Sequence, residues 1–163
     1  MKFRNCLLIF SIACLCACGF QLRGSDLEAL QGSKFYVNSS GNNSLARELK
    51  KQLAFAEIRI VNSSHDADYV VELGSESFDR KILSVSADTG KVEEYELAYN
   101  TTLTVIDAAG KKLVSNEPVT AQRDFTFDED TVLGKYDEEN KLREEIRQYT
   151  AENIVRRLRY ITQ

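Results

Sequence analysis

The chain has 163 residues, 43% of them hydrophobic and 28% charged, with 25 acidic residues against 21 basic ones. This length is enough for one domain with a proper core. The formal charge of -4 argues against a general nucleic-acid or membrane-surface binder, which would be expected to be basic, so any anionic ligand must meet a local basic patch.

Residues 1–17 predict a cleaved export signal. Lys2 and Arg4 form a positive start, and residues 7–15 form an apolar stretch that is too short to span a bilayer comfortably. Leu15-Cys16-Ala17-Cys18 resembles a bacterial lipobox, in which Cys18 becomes the lipidated first residue of the mature protein. Gly19 after this cysteine resembles lipoproteins that are passed on to the outer membrane. The alternative is an ordinary secretory signal with a chance cysteine.

Residues 19–163 contain no cysteine, because all four cysteines lie earlier in the chain: Cys6, Cys14, Cys16 and Cys18. This part of the chain therefore has no internal disulfide, thiolate metal site or cysteine nucleophile. We expect no cofactor, only the covalent N-acyl and S-diacylglycerol lipid on Cys18, whose buried methylenes each contribute roughly 0.8 kcal/mol to anchoring. Residues 18–33 predict a lipidated N-terminal tether, and residues 34–163 predict a single domain.

The domain opens with a predicted β-α-β unit. Phe35-Tyr36-Val37 is a short β-type run, and Ile58-Arg59-Ile60-Val61 predicts a second strand. Between them lies one apolar helical face, formed by Leu45, Leu49, Leu53 and Ala56. The two strands should pair in parallel through a right-handed crossover, either as neighbours or with another strand between them.

Three further strands are predicted in antiparallel order. From Asp68 apolar residues recur with period two, and the phase slips near residues 74–77, as a β-bulge would make it do. Residues 94–105 form an unusually long alternation that predicts a half-buried strand. The turn signal at residues 107–110 leads into a strand that runs irregularly to about Phe127.

The C-terminal segment predicts a long amphipathic helix from about Asp137 to Tyr160. One stripe of this helix is apolar and should be buried: Leu142, Ile146, Tyr149, Ile154, Leu158 and Ile161. Two helices and one sheet predict an α+β fold, a two-layer sandwich of a mixed, largely antiparallel β-sheet with both α-helices packed on one face.

The reversal of direction between antiparallel strands predicts where basic residues gather. The turn at residues 86–91 and the loop at residues 128–135 must lie at the same end of the sheet, which brings Lys91 and Lys135 together. Two more basic residues are set back along the neighbouring strand, Arg80 and Lys81. For any one of these side chains, the alternative is a solubilising surface charge.

No pattern in the sequence points strongly to catalysis, and we predict that the chain is not an enzyme. His65 lies in a polar loop without the spacing of a zinc site. The sequence lacks a nucleophile-elbow motif, a phosphate loop and a dinucleotide fingerprint. A glycosidase pair could in principle come from two acidic runs, residues 93–96 and 128–130, although such runs are usually solvated faces.

Several short motifs, in their order and spacing, resemble the LptE family, also called RlpB. They are Cys18-Gly19-Phe20-Gln21-Leu22-Arg23-Gly24, Leu83-Ser84-Val85, Glu94-Tyr95-Glu96-Leu97, Arg123-Asp124-Phe125, Val132-Leu133-Gly134-Lys135 and Leu158. The resemblance covers essentially the whole mature chain. It implies a non-enzymatic outer-membrane lipoprotein that plugs the lumen of the LptD β-barrel translocon one-to-one, assists its assembly and binds lipopolysaccharide during delivery to the outer leaflet.

The resemblance also carries residues. Lys135 matches a family lysine implicated in lipopolysaccharide binding, and Lys91 takes the location of a family arginine in the turn at residues 86–91. Arg80 and Lys81 are expected to contribute less to the same lipopolysaccharide site. A family arginine of the last helix, linked to the barrel contact, aligns near Thr150.

Two other classes of function stay open at this point. One is a free periplasm-facing lipoprotein that binds a small ligand or a cell-wall glycan, for which the threonine-rich side of the 94–104 strand is the candidate surface. The other is a hydrolase, which would need two perturbed carboxylates facing each other across a cleft.

Overall fold

The computed structural model describes residues 30, 32–41, 44–126 and 132–162, and for residues 132–137 the backbone alone. The predicted leader and Cys18, the predicted site of lipid attachment, lie outside the described residues. The described strands are β1 (Lys34–Ser39), β2 (Arg59–Ile60), β3 (Tyr69–Leu73), β4 (Ser77–Val85), β5 (Val92–Asp107) and β6 (Lys112–Thr126). The described helices are α1 (Ser44–Phe55) and α2 (Val132–Ile161), with a short 3-10 turn at Ser64–Asp66.

The predicted β-α-β unit is present, and its two strands are direct neighbours. β1 and β2 pair in parallel, with Lys34 opposite Arg59. α1 buries Leu45, Leu49 and Leu53 against them, because residues four apart share one face of a helix. β1 also pairs in parallel with β3 on its other edge, so the unit is joined to the rest of the sheet through β1.

β3 and β4 lie end to end along one edge of β5. β3 pairs with residues 103–107 of β5 and β4 with residues 92–100, while β6 follows the opposite edge along both stretches. Leu73 lies opposite Leu103, but Ser77 lies opposite Asn100, so this edge contains one extra residue. The predicted bulge is therefore confirmed.

The close approach of β5 to the bulge explains why a glycine occupies position 74. Gly74 N–H donates to Thr102 O at 2.9 Å, and a Cβ at position 74 would lie only 2.2 Å from Thr102 Oγ1. A larger residue would have to displace the threonine side chain.

The long alternation in β5 separates two faces of the sheet. Leu97, Tyr99, Leu103 and Val105 are buried on the face that the helices cover. Intervening residues lie on the opposite face, which we call the open face. The turn at residues 107–110 is held by Asp107 Oδ1, which accepts from the N–H groups of Ala109 and Lys111 at 2.9 Å.

α2 packs back along the sheet, because Tyr69 Oη at the far end donates to Thr162 O at 3.4 Å. Two details of its prediction were wrong. The helix begins at Val132 rather than near Asp137, since the Val-Leu-Gly-Lys start gives only a weak helical signal. Tyr149, predicted on the buried stripe, is largely exposed, and the neighbouring Thr150 and Ala151 are buried instead.

The predicted α+β class and two-layer arrangement are confirmed. One core joins both helices to the sheet, and it also takes in Leu30, from the segment that we predicted as tether. In the described part, neither helix has a run of apolar residues long enough to cross a membrane.

Candidate functional site

The β4–β5 turn holds Lys91 at one end of the sheet. Gly90 has a φ of +69°, a conformation that favours glycine, and its N–H donates to Ser86 O at 2.9 Å. Ser86 N–H donates in turn to Lys91 O at 2.7 Å. These bonds fix the backbone of the turn while Lys91 remains exposed. We call residues 82–91, together with the first turn of α2, the tip.

Lys135 lies in the first turn of α2, not in a loop as predicted, and its side chain is outside the described residues. Four residues later, Glu139 Oε2 is 3.7 Å from Arg80 Nη1 of β4. Farther along α2, Arg147 pairs with Glu76, which precedes β4, so α2 approaches the β4–β5 turn as its residue numbers fall. A rise of 1.5 Å per residue puts the backbone of Lys135 about 6 Å beyond Glu139 in that direction.

The register separates Arg80 from Lys81. Arg80 lies opposite Leu97 on the helix-covered face, where its guanidinium stacks 4.7 Å from the centre of the Tyr95 ring. Lys81 lies opposite Glu96 on the open face and is exposed. The two residues therefore cannot act as one adjacent pair, and the charge of Arg80 is partly balanced by Glu139.

An apolar patch adjoins these basic residues, and our sequence reasoning missed it. Ile82, Leu83 and Val85 are exposed by 53%, 42% and 55% just before the turn. Among the described residues, no strand pairs with the outer edge of β4. The signal was available, because two consecutive apolar residues at 82 and 83 break the alternation expected of a half-solvated strand. The tip is thus amphipathic.

A buried ion pair lies behind the tip, where α1, α2 and the bulge meet. Arg147 Nε is 2.9 Å from Glu76 Oε2, and Glu76 Oε1 accepts from Leu45 N–H, in the first turn of α1, at 3.1 Å. Phe78 lies beneath the same arginine, 4.9 Å from its guanidinium. A negative side chain suits this position because it faces the positive end of the α1 dipole.

Tyr99 lies beside this pair, and its hydroxyl is buried without a hydrogen-bond partner of normal geometry among the described residues. Burial raises the pKa of Tyr99 well above its ordinary value, the negative charge of Glu76 raises it further, and Arg147 opposes both. The hydroxyl therefore stays protonated at any physiological pH and is not placed to supply a proton.

A groove of about 490 Å³ lies between β1, the end of β2 and α1. Tyr36 and Asn38 of β1, Arg47 and Lys50 of α1, and Asn62 after β2 line it. The groove therefore combines an aromatic ring, two amides and two cations.

The residues considered for other functions are not arranged for them. His65 is exposed, and its N–H donates to Ser63 Oγ as part of the local turn. Glu94 is exposed and accepts from Ser84 Oγ, while residues 128–130 lie outside the described part. The described residues contain no group of three His, Cys, Asp or Glu that could hold a metal ion.

The open face, the candidate surface for a free ligand binder, uses several of its polar groups internally. Asn100 Nδ2 donates to Asp79 Oδ2 at 3.0 Å, and Asn116 N–H donates to Thr104 Oγ1 at 3.0 Å. Thr150, the position aligned with a family arginine, is completely buried, and its hydroxyl donates to Ile146 O at 2.7 Å. Its side chain cannot reach a partner protein.

Comparisons with known proteins identify the family to which the chain is similar. The model of the family described as LptE, lipopolysaccharide-assembly, matches residues 33–158. The chain is 28% identical to the LPS-assembly lipoprotein LptE of Pectobacterium atrosepticum, over 97% of this chain and 86% of that protein. It is 29% identical to the lipoprotein of the same name from Photorhabdus laumondii, over 97% and 87%. The crystal structure of rare lipoprotein B from Shewanella oneidensis matches with a TM-score of 0.66 at 27% identity, over 77% of this chain and 92% of that one.

Proposed function

Since the chain belongs to the LptE lipopolysaccharide-assembly family, whose members are non-enzymatic assembly lipoproteins, we propose that it plugs an LptD-like outer-membrane β-barrel and helps it to assemble. In this role it binds lipopolysaccharide on its way to the outer leaflet. The family match over residues 33–158 carries the proposal. Cys18 holds the lipid anchor on the periplasmic side of the outer membrane, and the folded domain lies inside the barrel lumen in a one-to-one complex.

The surface chemistry supports a plug. The lumen of a large outer-membrane barrel is polar, so a protein that fills it needs polar surfaces, not an apolar interface. The open face carries Asp79, Lys81, Glu96 and Asn100, and the outer side of α2 is densely charged. Neither surface is apolar enough to require burial against a hydrophobic partner.

The amphipathic tip supports lipopolysaccharide binding. Lipopolysaccharide combines clustered phosphates with acyl chains, and a lysine can make a charge-assisted contact to phosphate without a fixed bidentate geometry. Lys91 and Lys135 bind the anionic part, Lys81 and Arg80 contribute less, and the exposed Ile82, Leu83 and Val85 contact the apolar part. Arg80 contributes least because Glu139 already pairs with it.

Affinity purification of the tagged full-length protein from mild-detergent outer membranes tests the barrel partner. We expect one copy of a large β-barrel for each copy of this chain. Recovery of the lipoprotein alone, under conditions that preserve other barrel complexes, would contradict the plug and favour a free ligand-binding lipoprotein.

Charge reversal tests the lipopolysaccharide site. The double variant Lys91→Glu/Lys135→Glu should lower lipopolysaccharide affinity at low salt, because both charges then repel the phosphates. Lys111→Glu/Lys112→Glu makes the same change of charge at the opposite end of the sheet and is the matched control. If both double variants bind as the wild-type protein does, the binding site is not at the tip.

A further inference from the structure

The groove beside β1 carries two cations that no described residue neutralises. Arg47 and Lys50 lie one turn apart on α1, both are exposed, and neither makes an ion pair within the described part of the chain. Lys51, on the same helix but outside this groove, is 3.6 Å from Glu48. Of the basic residues of α1, Arg47 and Lys50 are thus the two without an ion pair in the described part, and Arg47 also lines a smaller pocket that contains Glu48 and Glu144.

The opposite wall offers uncharged polar groups and an aromatic ring. Asn38 Oδ1 accepts from Ser39 N–H at 2.9 Å, and this bond directs the amide of Asn38 while leaving its NH₂ group available. Asn62 is exposed just after β2, and Tyr36 is half-buried on β1, two residues before Asn38.

The backbone of β1 adds a donor and an acceptor on this side. Ser40 N–H donates to Leu73 O on the β3 side, and Phe35 O accepts from Val61 N–H on the β2 side. Val37 is two residues after Phe35, so its N–H and C=O also face the β2 side, but beyond the end of β2. Among the described residues, no backbone hydrogen bond on that side uses them.

From this combination we propose that the groove is a binding site for an acidic sugar, a saccharide that bears carboxylate or phosphate groups. A tyrosine ring packs against the C–H face of a sugar, side-chain amides pair with its hydroxyls, and Arg47 takes a carboxylate or phosphate through its paired N–H groups. A volume of 490 Å³ falls within the range of roughly 300–1,000 Å³ that is common for small-ligand sites.

The same features argue against an added β-strand as the occupant. Strand addition depends on a row of unpaired backbone groups along an edge. Here the free edge is short, because β1 ends at Ser39 and the N–H of Ser39 is already taken by Asn38. On this edge of the described part of β1, the peptide groups of Val37 are the ones without a backbone partner, which is enough to fix one sugar hydroxyl but not to hold a strand.

Two glycans could supply such a sugar at the outer membrane, the saccharide part of lipopolysaccharide and a fragment of the cell wall. The inference rests on the proposed function only for the choice between these sources. A lipopolysaccharide saccharide would make the groove a second contact for the cargo, separate from the tip.

The test is a titration of the full-length lipidated protein in mild detergent, followed by calorimetry and by NMR of the side-chain amides of Asn38 and Asn62. Three lipid-free probes are compared: the deacylated, phosphorylated core oligosaccharide of lipopolysaccharide, a disaccharide muropeptide with free carboxylates, and neutral maltotriose. The variant is Arg47→Gln/Lys50→Gln. The matched control is Lys111→Gln/Lys112→Gln, which removes the same charge at the start of β6, three strands across the sheet from β1. Circular dichroism checks that both variants fold.

We expect an acidic probe to shift the two amides at millimolar concentration, and the groove variant to bind it about tenfold more weakly or worse, since the variant loses both charge-assisted contacts. The control should bind normally. Preference for the core oligosaccharide or for the muropeptide identifies the source, and either supports the site.

Three results would overturn the inference: no binding of either acidic probe, equal binding of maltotriose, or unchanged affinity in the groove variant. A phosphorylated probe that binds only at the tip lysines would leave the amides of Asn38 and Asn62 unshifted, so these two signals report the groove separately from the proposed function. If the wild-type protein binds no acidic sugar, but the groove variant still co-purifies with the barrel, the groove proposal fails and the proposed function stands.

Discussion

The buried ion pair between Glu76 and Arg147 makes the sharpest prediction about stability. Their side chains are exposed by only 4% and 19%, and Glu76 also accepts from Leu45 N–H. Removing one partner of a buried pair typically costs about 3–5 kcal/mol, because the other charge remains without compensation. Glutamine keeps an acceptor for Leu45, and Arg147 retains some contact with water, so Glu76→Gln should cost about 2–4 kcal/mol.

A second ion pair in the same protein is the internal control. Arg157 pairs with Glu117, but these side chains are exposed by 42% and 47%. Exposed pairs contribute about 0–1 kcal/mol, so Glu117→Gln should have little effect. Urea unfolding of the purified protein in mild detergent, followed by far-UV circular dichroism, measures both losses. A double-mutant cycle with Arg147→Gln should give a coupling of about 1–3 kcal/mol for the buried pair.

If Glu76→Gln lowers the free energy of unfolding no more than Glu117→Gln does, burial does not make the Glu76–Arg147 pair the stronger one. If the cycle shows no coupling between Glu76 and Arg147, the stability comes from the two residues separately.

Three further substitutions follow from the packing. Tyr99→Phe should stabilise the protein by up to about 1 kcal/mol in urea unfolding, because it removes a buried hydroxyl that has no hydrogen-bond partner of normal geometry among the described residues. Folding raises the pKa of Tyr99, so above about pH 10 the unfolded state loses this proton first and the stability of the fold decreases as the pH rises. Phenylalanine has no such proton, so Tyr99→Phe should also flatten this alkaline loss of stability. Gly74→Ala should cost about 1–3 kcal/mol, and Thr102→Ala in the same chain should recover part of it. Thr150→Arg should cost about 3 kcal/mol or more in the same assay, since it puts an unpaired charge into the core.

Each of these has a clear contrary result. An alkaline unfolding curve of Tyr99→Phe that matches the wild-type curve would mean that the Tyr99 hydroxyl titrates normally. A Gly74→Ala protein that Thr102→Ala does not rescue would mean that backbone strain at the bulge, and not the side-chain contact, is the cause. Wild-type stability in Thr150→Arg would mean that α2 can rotate to expose this position.

Much of the fold was predictable from the sequence because its signals are local. Helix α1 follows from leucines four residues apart, and β5 follows from a long alternation between apolar and polar residues. The bulge before β4 was visible as a slip in that alternation. The absence of cysteine after Cys18, and the lipobox that ends there, depend on residue identity alone.

The detail of the candidate sites was less predictable. Lys91 belongs to a turn that the neighbouring residues predict. Lys135 was predicted in a loop, because the helical signal before Asp137 is weak and α2 begins earlier than that signal indicates. Arg80 and Lys81 were grouped by their adjacency in sequence. Successive residues of a strand point to opposite faces, so the register puts them on different sides of the sheet.

The sequence by itself determined the order and type of the elements, since hydrophobic periodicity is read within ten or twenty residues and the burial of each apolar face is its direct consequence. Only the tertiary structure decided which distant residues meet. Glu76 and Arg147 are 71 residues apart, and the groove draws its walls from β1, α1 and the chain after β2. Such contacts depend on strand order, register and helix rotation. The same local elements are compatible with many packings, and the fold adopts the packing in which one shared core is filled.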